Sequence, residues 1–125
     1  MAALLRQIVD EIRPRAVLEF GAGEATAVLA EALAAIGGGA LTCVDQQAQR
    51  ASTWLDKARA AGNVDLQVID SPIELRLTKN GIIFTYTAAR EGILSRGPYD
   101  LVFIGAPHAS WGRHCTLPLG PVRGQ

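Results

Sequence analysis

The stretch VLEFGAGEAT, residues 17–26, decides the reading of the fold. A short apolar run holds one acid, Glu19, and passes directly into Gly21, Ala22 and Gly23 before Glu24 opens a helical pattern. A brief, nearly all-apolar run is what a strand buried on both faces requires. The two glycines carry no Cβ, so ligand atoms can approach the backbone closely there. The helix that follows offers unpaired N–H groups and the positive end of its dipole.

The flanking sequence continues the alternation of strand and helix. Upstream, Leu4, Leu5, Ile8, Val9 and Ile12 recur at helical spacing, and Pro14 predicts that the helix ends before it. Downstream, Val28, Leu29, Leu33 and Ile36 predict a helix over 24–36, stopped by Gly37 to Gly39. ALTCV, 40–44, reads as a second buried strand. Residues 46–61 read as a helix with Ala51, Leu55 and Ala58 on one face, and VDLQVI, 64–69, as a third strand. The segment IELRLTKNGIIFTY, 73–86, alternates on both sides of Asn80-Gly81 and predicts an inserted β-hairpin. A short helical piece over 88–94, a turn at Gly97 and Pro98, and a fourth buried strand in YDLVFIG, 99–105, complete the pattern. TLPLGPVRGQ, 116–125, shows no period.

Strands alternating with helices imply an α/β fold with a parallel sheet and right-handed crossovers. The expected architecture is a Rossmann-like doubly wound sheet, incomplete, of order 3-2-1-4, with the hairpin inserted before the fourth strand. At 125 residues, 49% of them apolar, the chain is expected to form one domain over 1–125. Twelve basic residues balance twelve acidic ones, so charge alone draws the chain neither to nucleic acid nor to an anionic membrane. Two cysteines make no disulfide framework, and the first residues lack the order of a secretory signal, which predicts a cytoplasmic location. The most apolar region, 25–44, is interrupted by Glu31 and by three glycines, so it reads as helix, turn and strand rather than a membrane span.

In such sheets ligands collect beyond the carboxyl ends of the strands. Glu19, Gly21 and Gly23 follow the first strand, Asp45 the second, Asp70 and Ser71 the third, and Gly105 to His108 the fourth. An acid just past the second strand can accept hydrogen bonds from two vicinal ribose hydroxyls. Thr26 stands where a dinucleotide fingerprint has its third glycine, so the glycine turn says less than the spacing of strand, glycines, helix, strand and Asp45. That spacing predicts a nucleoside-containing cofactor.

On these residues the chain resembles the class I S-adenosylmethionine-dependent methyltransferases, over about residues 14–108. VLEFGAGEAT is similar to the family's first motif, acid-x-Gly-x-Gly, which implies that Glu19, Gly21, Ala22 and Gly23 surround the methionine end of S-adenosylmethionine. The carboxylate of Glu19 is expected to face the cofactor's ammonium group. LTCVDQ resembles the second motif, implying that Asp45 binds the ribose hydroxyls and that Gln46 flanks the adenine. VIDS resembles the third, implying that Asp70 and Ser71 lie near the exocyclic amine. YDLVFIGAPH resembles the fourth-strand motif, with Gly105 where relatives commonly carry an acid. The activity implied is transfer of a methyl group to an unidentified acceptor.

Relatives have further strands beyond the fourth, whereas this chain ends at Gln125. The expectation is therefore a C-terminal truncation, or a fourth strand covered by association, including a homo-oligomer. Together with Gly105, this keeps a second reading open: a non-catalytic remnant or interaction module that retains the nucleotide-binding half. A nicotinamide-dependent oxidoreductase is a third reading, opposed by the lack of any Tyr-x-x-x-Lys pair. His108 is the candidate general base toward an acceptor hydroxyl, since neutral imidazole titrates near pH 7. His108, His114 and Cys115 match no common zinc spacing, so no metal is expected. Cys43 is expected in the core, Trp54 to pack on its helix, and Trp111 to lie in the strand-end loop.

Overall fold

The computed structural model describes residues 2–72, 74–85 and 89–105. In chain order the elements are α1 (Ala2–Ile12), β1 (Ala16–Phe20), α2 (Glu24–Ala35), β2 (Gly39–Asp45), a 3-10 turn (Ala48–Ala51), α3 (Ser52–Arg59) and β3 (Val64–Asp70). They continue with β4 (Glu74–Thr78), β5 (Gly81–Thr85), α4 (Arg90–Ser95) and β6 (Leu101–Ile104). Four strands form a parallel sheet in the order β3-β2-β1-β6, while β4 and β5 pair antiparallel in a separate ribbon. This is the expected order 3-2-1-4, with β6 as the fourth strand of the sheet.

The pleat of each strand divides the core between two faces. Val17 of β1 and Leu41 of β2 pack with Leu5 and Val9 of α1 and with Leu29 and Leu33 of α2. Leu18, Phe20 and Val44 point the other way and pack with Ala89 and Ile93 around α4. Helices therefore cover both sides of the sheet, and the continuous apolar runs of β1 and β2 follow from burial on each side. Burying side chains such as Leu29 and Leu33 completely, as here, stabilises the fold by about 1.5–3 kcal/mol each.

Glycines and one aspartate set the ends of these elements. At Gly38, φ is 106° and an added Cβ would lie 2.4 Å from the carbonyl oxygen of Asn63, so the α2–β2 turn passes too close to the β3 approach for any side chain. At the other end of the sheet, Asp100 accepts the backbone N–H groups of Arg15 at 2.7 Å and Ala16 at 3.2 Å, which aligns β6 with β1. Two boundaries differ from expectation. The helix expected over 46–61 begins its α-helical part only at Ser52, after the 3-10 turn, because Asp45 takes the N–H of Gln47 and holds the chain in a bend. The fourth strand is confined to Leu101–Ile104, since Tyr99 and Asp100 are spent on packing and on the β1 contacts.

The strand ends converge on one rim. Gly21 N–H donates to the Val44 carbonyl at 2.7 Å, Gly105 N–H to Phe20 at 2.8 Å and Ser71 N–H to Asp45 at 2.9 Å. Each link extends the ladder one residue past its strand, so the loops after β1, β2, β3 and β6 leave the sheet together. Among the described residues β6 pairs with β1 alone, and its Val102 and Ile104 are 40% and 57% exposed. No described helix is long and apolar enough to cross a membrane.

Candidate functional site

The loop after β1 is shaped by two glycines with different duties. Gly21 has φ 99°, a left-handed conformation that favours glycine. Gly23 is extended at φ 172°, which any residue can adopt. What Gly23 provides is room, because a Cβ built there meets nothing within 4 Å. Its carbonyl accepts Thr26 N–H at 3.0 Å and its own N–H donates to Thr26 Oγ1 at 3.1 Å, which fixes the start of α2.

Thr26 in turn donates its hydroxyl to Glu19 Oε1 at 2.7 Å. Glu19 stands in register with Cys43 of β2 and Phe103 of β6, beneath the first turn of α2, and is fully buried. Its Oε2 finds no hydrogen-bond partner among the described residues. Burial raises the Glu19 pKa from 4.5 to about 7, opposed by the bond from Thr26 and the neighbouring Cys43 thiol and aided by the negative charge of Asp45. Cys43 lies 4.0 Å from Thr26 Oγ1, and burial, followed by the nearby Glu19 charge, pushes its thiol up, so it remains a core thiol and not a nucleophile.

Asp45 does a different job at the end of β2. Its Oδ2 accepts the N–H of Ala22 and its Oδ1 the N–H of Gln47, each at 2.6 Å. One carboxylate thus joins the glycine loop to the loop after β2. Two oxygens offer about four lone-pair sites, so each keeps capacity for a further donor.

Between these loops lies a cleft of about 530 Å³. The glycine loop from Gly21 to Gly23 and the Asp45–Gln47 segment line it, with Arg50 and Trp54 from the 3-10 turn and α3 and with Phe103 and Gly105 at the end of β6. A smaller cleft of about 220 Å³ adjoins it, lined by Gln46, Gln47, Gln49, Arg50 and Asp70. Gln46, Gln47 and Arg50 belong to both, so the two clefts form one groove from the glycine loop to the end of β3.

The structure therefore gathers Gly21, Ala22, Gly23, Asp45 and Gln46 around the larger cleft and sets Asp70 beside Gln46 in the smaller one. Glu19 lies at the same rim but forms no part of the cleft lining. Ser71 is buried, with its hydroxyl donating to the Pro72 carbonyl at 3.3 Å. His108, Trp111, His114 and Cys115 lie outside the described residues. Among the lining residues, Gln47, Gln49, Arg50 and Phe103 have no site role in the sequence reading, and Trp54 lines the cleft as well as packing. The Lys57 ammonium sits 4.6 Å from the centroid of the Trp54 ring, a cation–π contact. The signal that could have found Arg50 and Trp54 is their spacing of four, just past the acid of the second strand. The described residues hold no group of three or more His, Cys, Asp or Glu arranged for a metal ion.

A glycine loop at a helix start, an acid on the cleft wall after β2 and a sheet of this order form one arrangement. A family model described as a methyltransferase domain matches residues 18–119. The chain belongs to the methyltransferase-domain family. The match begins inside β1 and extends beyond β6, so this methyltransferase domain includes every described residue lining the groove. No curated protein matches the chain.

Proposed function

We propose that this methyltransferase domain binds S-adenosylmethionine along the groove and transfers its methyl group to an acceptor. The observation that carries the reading is Asp45. It lies on the wall of the cleft, already tied to the glycine loop, with lone pairs left for a pair of ribose hydroxyls. The remaining groove residues fit the same ligand. Open space before Gly23 and the start of α2 suit the methionine carboxylate. The smaller cleft, with Gln46 and Asp70, suits the adenine and its exocyclic amine. The orphaned oxygen of Glu19 provides negative charge, or the capacity for it, behind the loop where the ammonium group would lie.

When bound, S-adenosylmethionine supplies a methyl group already activated on a sulfonium, so no covalent bond to the protein is needed. The tasks left to the chain are alignment and exclusion of water. Asp45 and Gln46 orient the nucleoside, the glycine loop admits the methionine end, and Trp54 and Phe103 give the larger cleft apolar walls. A general base toward the acceptor is assigned to His108, to be tested by replacement with alanine. Isothermal titration with S-adenosylmethionine and S-adenosylhomocysteine tests the cofactor reading. Saturable binding of both is expected, and no heat at millimolar ligand would contradict it.

A further inference from the structure

A carboxyl group buried at the centre of the rim is unusual in how little holds it. Glu19 is completely shielded from solvent, accepts one hydrogen bond, from Thr26, and leaves Oε2 unpartnered among the described residues. The ion pairs of the described residues are Arg6–Glu31, Arg13–Asp10, Arg59–Asp56 and Arg96–Asp65, and none reaches it. Burying an ionised carboxylate with so few donors is costly, and such a group keeps its proton instead. The surroundings reinforce this. From β2 it is faced by Cys43 and by the charge of Asp45, from α2 by Thr26, and from β6 by Phe103; Glu24, at the first turn of α2, is exposed.

Two features connect this proton to the cleft. Thr26 joins Glu19 to the N–H of Gly23, so the carboxyl group and the cleft-lining loop share one hydrogen-bond chain. Asp45 lines the cleft and raises the Glu19 pKa, so Glu19 lies within electrostatic reach of charges placed there.

We propose that Glu19 is a proton-coupled positioning residue: entry of a positively charged ligand into the cleft drives its proton out to solvent. The carboxylate left behind then balances the ligand's charge from behind the glycine loop. This rests on the cofactor reading above, in which the ligand brings an ammonium and a sulfonium. The step breaks only the O–H bond of Glu19, and the proton passes to water or buffer. Ionised, Glu19 still accepts the Thr26 hydroxyl, so the chain to Gly23 is kept and the loop stays in its binding shape.

The consequence is linkage between affinity and pH. A ligand that favours the ionised form binds more tightly as pH rises, by up to about tenfold per pH unit, until Glu19 is ionised without it. The rise should level off above the free-protein pKa of about 7. S-adenosylmethionine, with one more positive charge than S-adenosylhomocysteine, should release the greater fraction of a proton.

The test is isothermal titration of the wild-type chain with each ligand at several pH values, in two buffers of different ionisation enthalpy, which yields the protons released per ligand bound. Release approaching one proton per S-adenosylmethionine at about pH 6, less with S-adenosylhomocysteine and falling away as pH rises past about 7, is expected. Glu19→Gln, checked for folding by circular dichroism, should bind without that release. Binding without proton transfer, equal release with both ligands, or unchanged release in Glu19→Gln would overturn the proposal. The ligand comparison needs no variant, so it decides the matter even if Glu19→Gln does not fold. Absence of binding by either ligand would instead remove the cofactor reading, and this inference with it.

Discussion

Two acids at the same rim, Glu19 after β1 and Asp45 after β2, live in opposite surroundings. Glu19 is sealed beneath α2 with one hydrogen bond and an orphaned oxygen. Asp45 stands on the cleft wall with a backbone N–H on each oxygen. The same functional group becomes a store for a proton in one place and a fixed acceptor in the other. Burial and the number of donors make the difference, not residue type.

The sharpest way to break that contrast is to follow stability against pH. The folded-state pKa of Glu19, about 7, lies above its ordinary value of 4.5, so between these values the folded chain binds more protons than the unfolded one. Its contribution is full below pH 4.5 and is lost as pH rises through about 7, a fall of about 3 kcal/mol. Chemical denaturation of wild type and Glu19→Gln across this range should show the fall in the first and its absence in the second. Parallel pH profiles would show that Glu19 is not the group responsible.

Asp45→Ala should come next in size. It strips acceptors from the N–H groups of Ala22 and Gln47, at a cost of about 2 kcal/mol in stability. Affinity for S-adenosylhomocysteine should fall by about a hundredfold, since charge-assisted bonds to two ribose hydroxyls are lost with the bond between the loops. Denaturation and titration read the two effects separately.

Thr26→Val tests the link between Glu19 and the glycine loop. It removes the donor to Glu19 and the acceptor of Gly23 N–H while keeping volume, and should cost about 1–2 kcal/mol in denaturant unfolding. It should also move the pH-dependent window upward, because the Thr26 bond is the larger of the two influences, with Cys43, that lower the Glu19 pKa. The smallest stability effect is expected at Gly23→Ala, where the backbone is extended and the new Cβ meets nothing within 4 Å. A change within about 0.5 kcal/mol should accompany a clear loss of ligand affinity. Gly21→Ala, at φ 99°, should instead destabilise the fold by about 1 kcal/mol or more. Equal effects at the two glycines would dissolve the distinction between room and conformation.

The strand order, the hairpin and the position of the rim were legible because they rest on local signals. Apolar runs at 17–20 and 40–44, the Asn80-Gly81 turn and the glycines at 37–39 each leave one sensible placement. The burial of Glu19 was not legible, since an acid within an apolar run reads the same whether it faces a cleft or a helix. Its state depends on Thr26, seven residues away, folding back over it. Arg50 and Trp54 escaped for a related reason. The apolar face of Ala51, Leu55 and Ala58 marks what packs inward, whereas cleft lining depends on how the 3-10 turn is set by Asp45. Asp45 itself was legible as an acceptor at a strand end, though its two backbone donors come from loops that only the folded sheet brings together.

A crystal structure of the chain with S-adenosylhomocysteine tests the central claim most directly. The account predicts the ribose hydroxyls within hydrogen-bond distance of Asp45, the homocysteine end against Gly21–Gly23 and the adenine in the cleft beside Gln46 and Asp70. Ligand density away from this groove, or a ribose that makes no contact with Asp45, would contradict it.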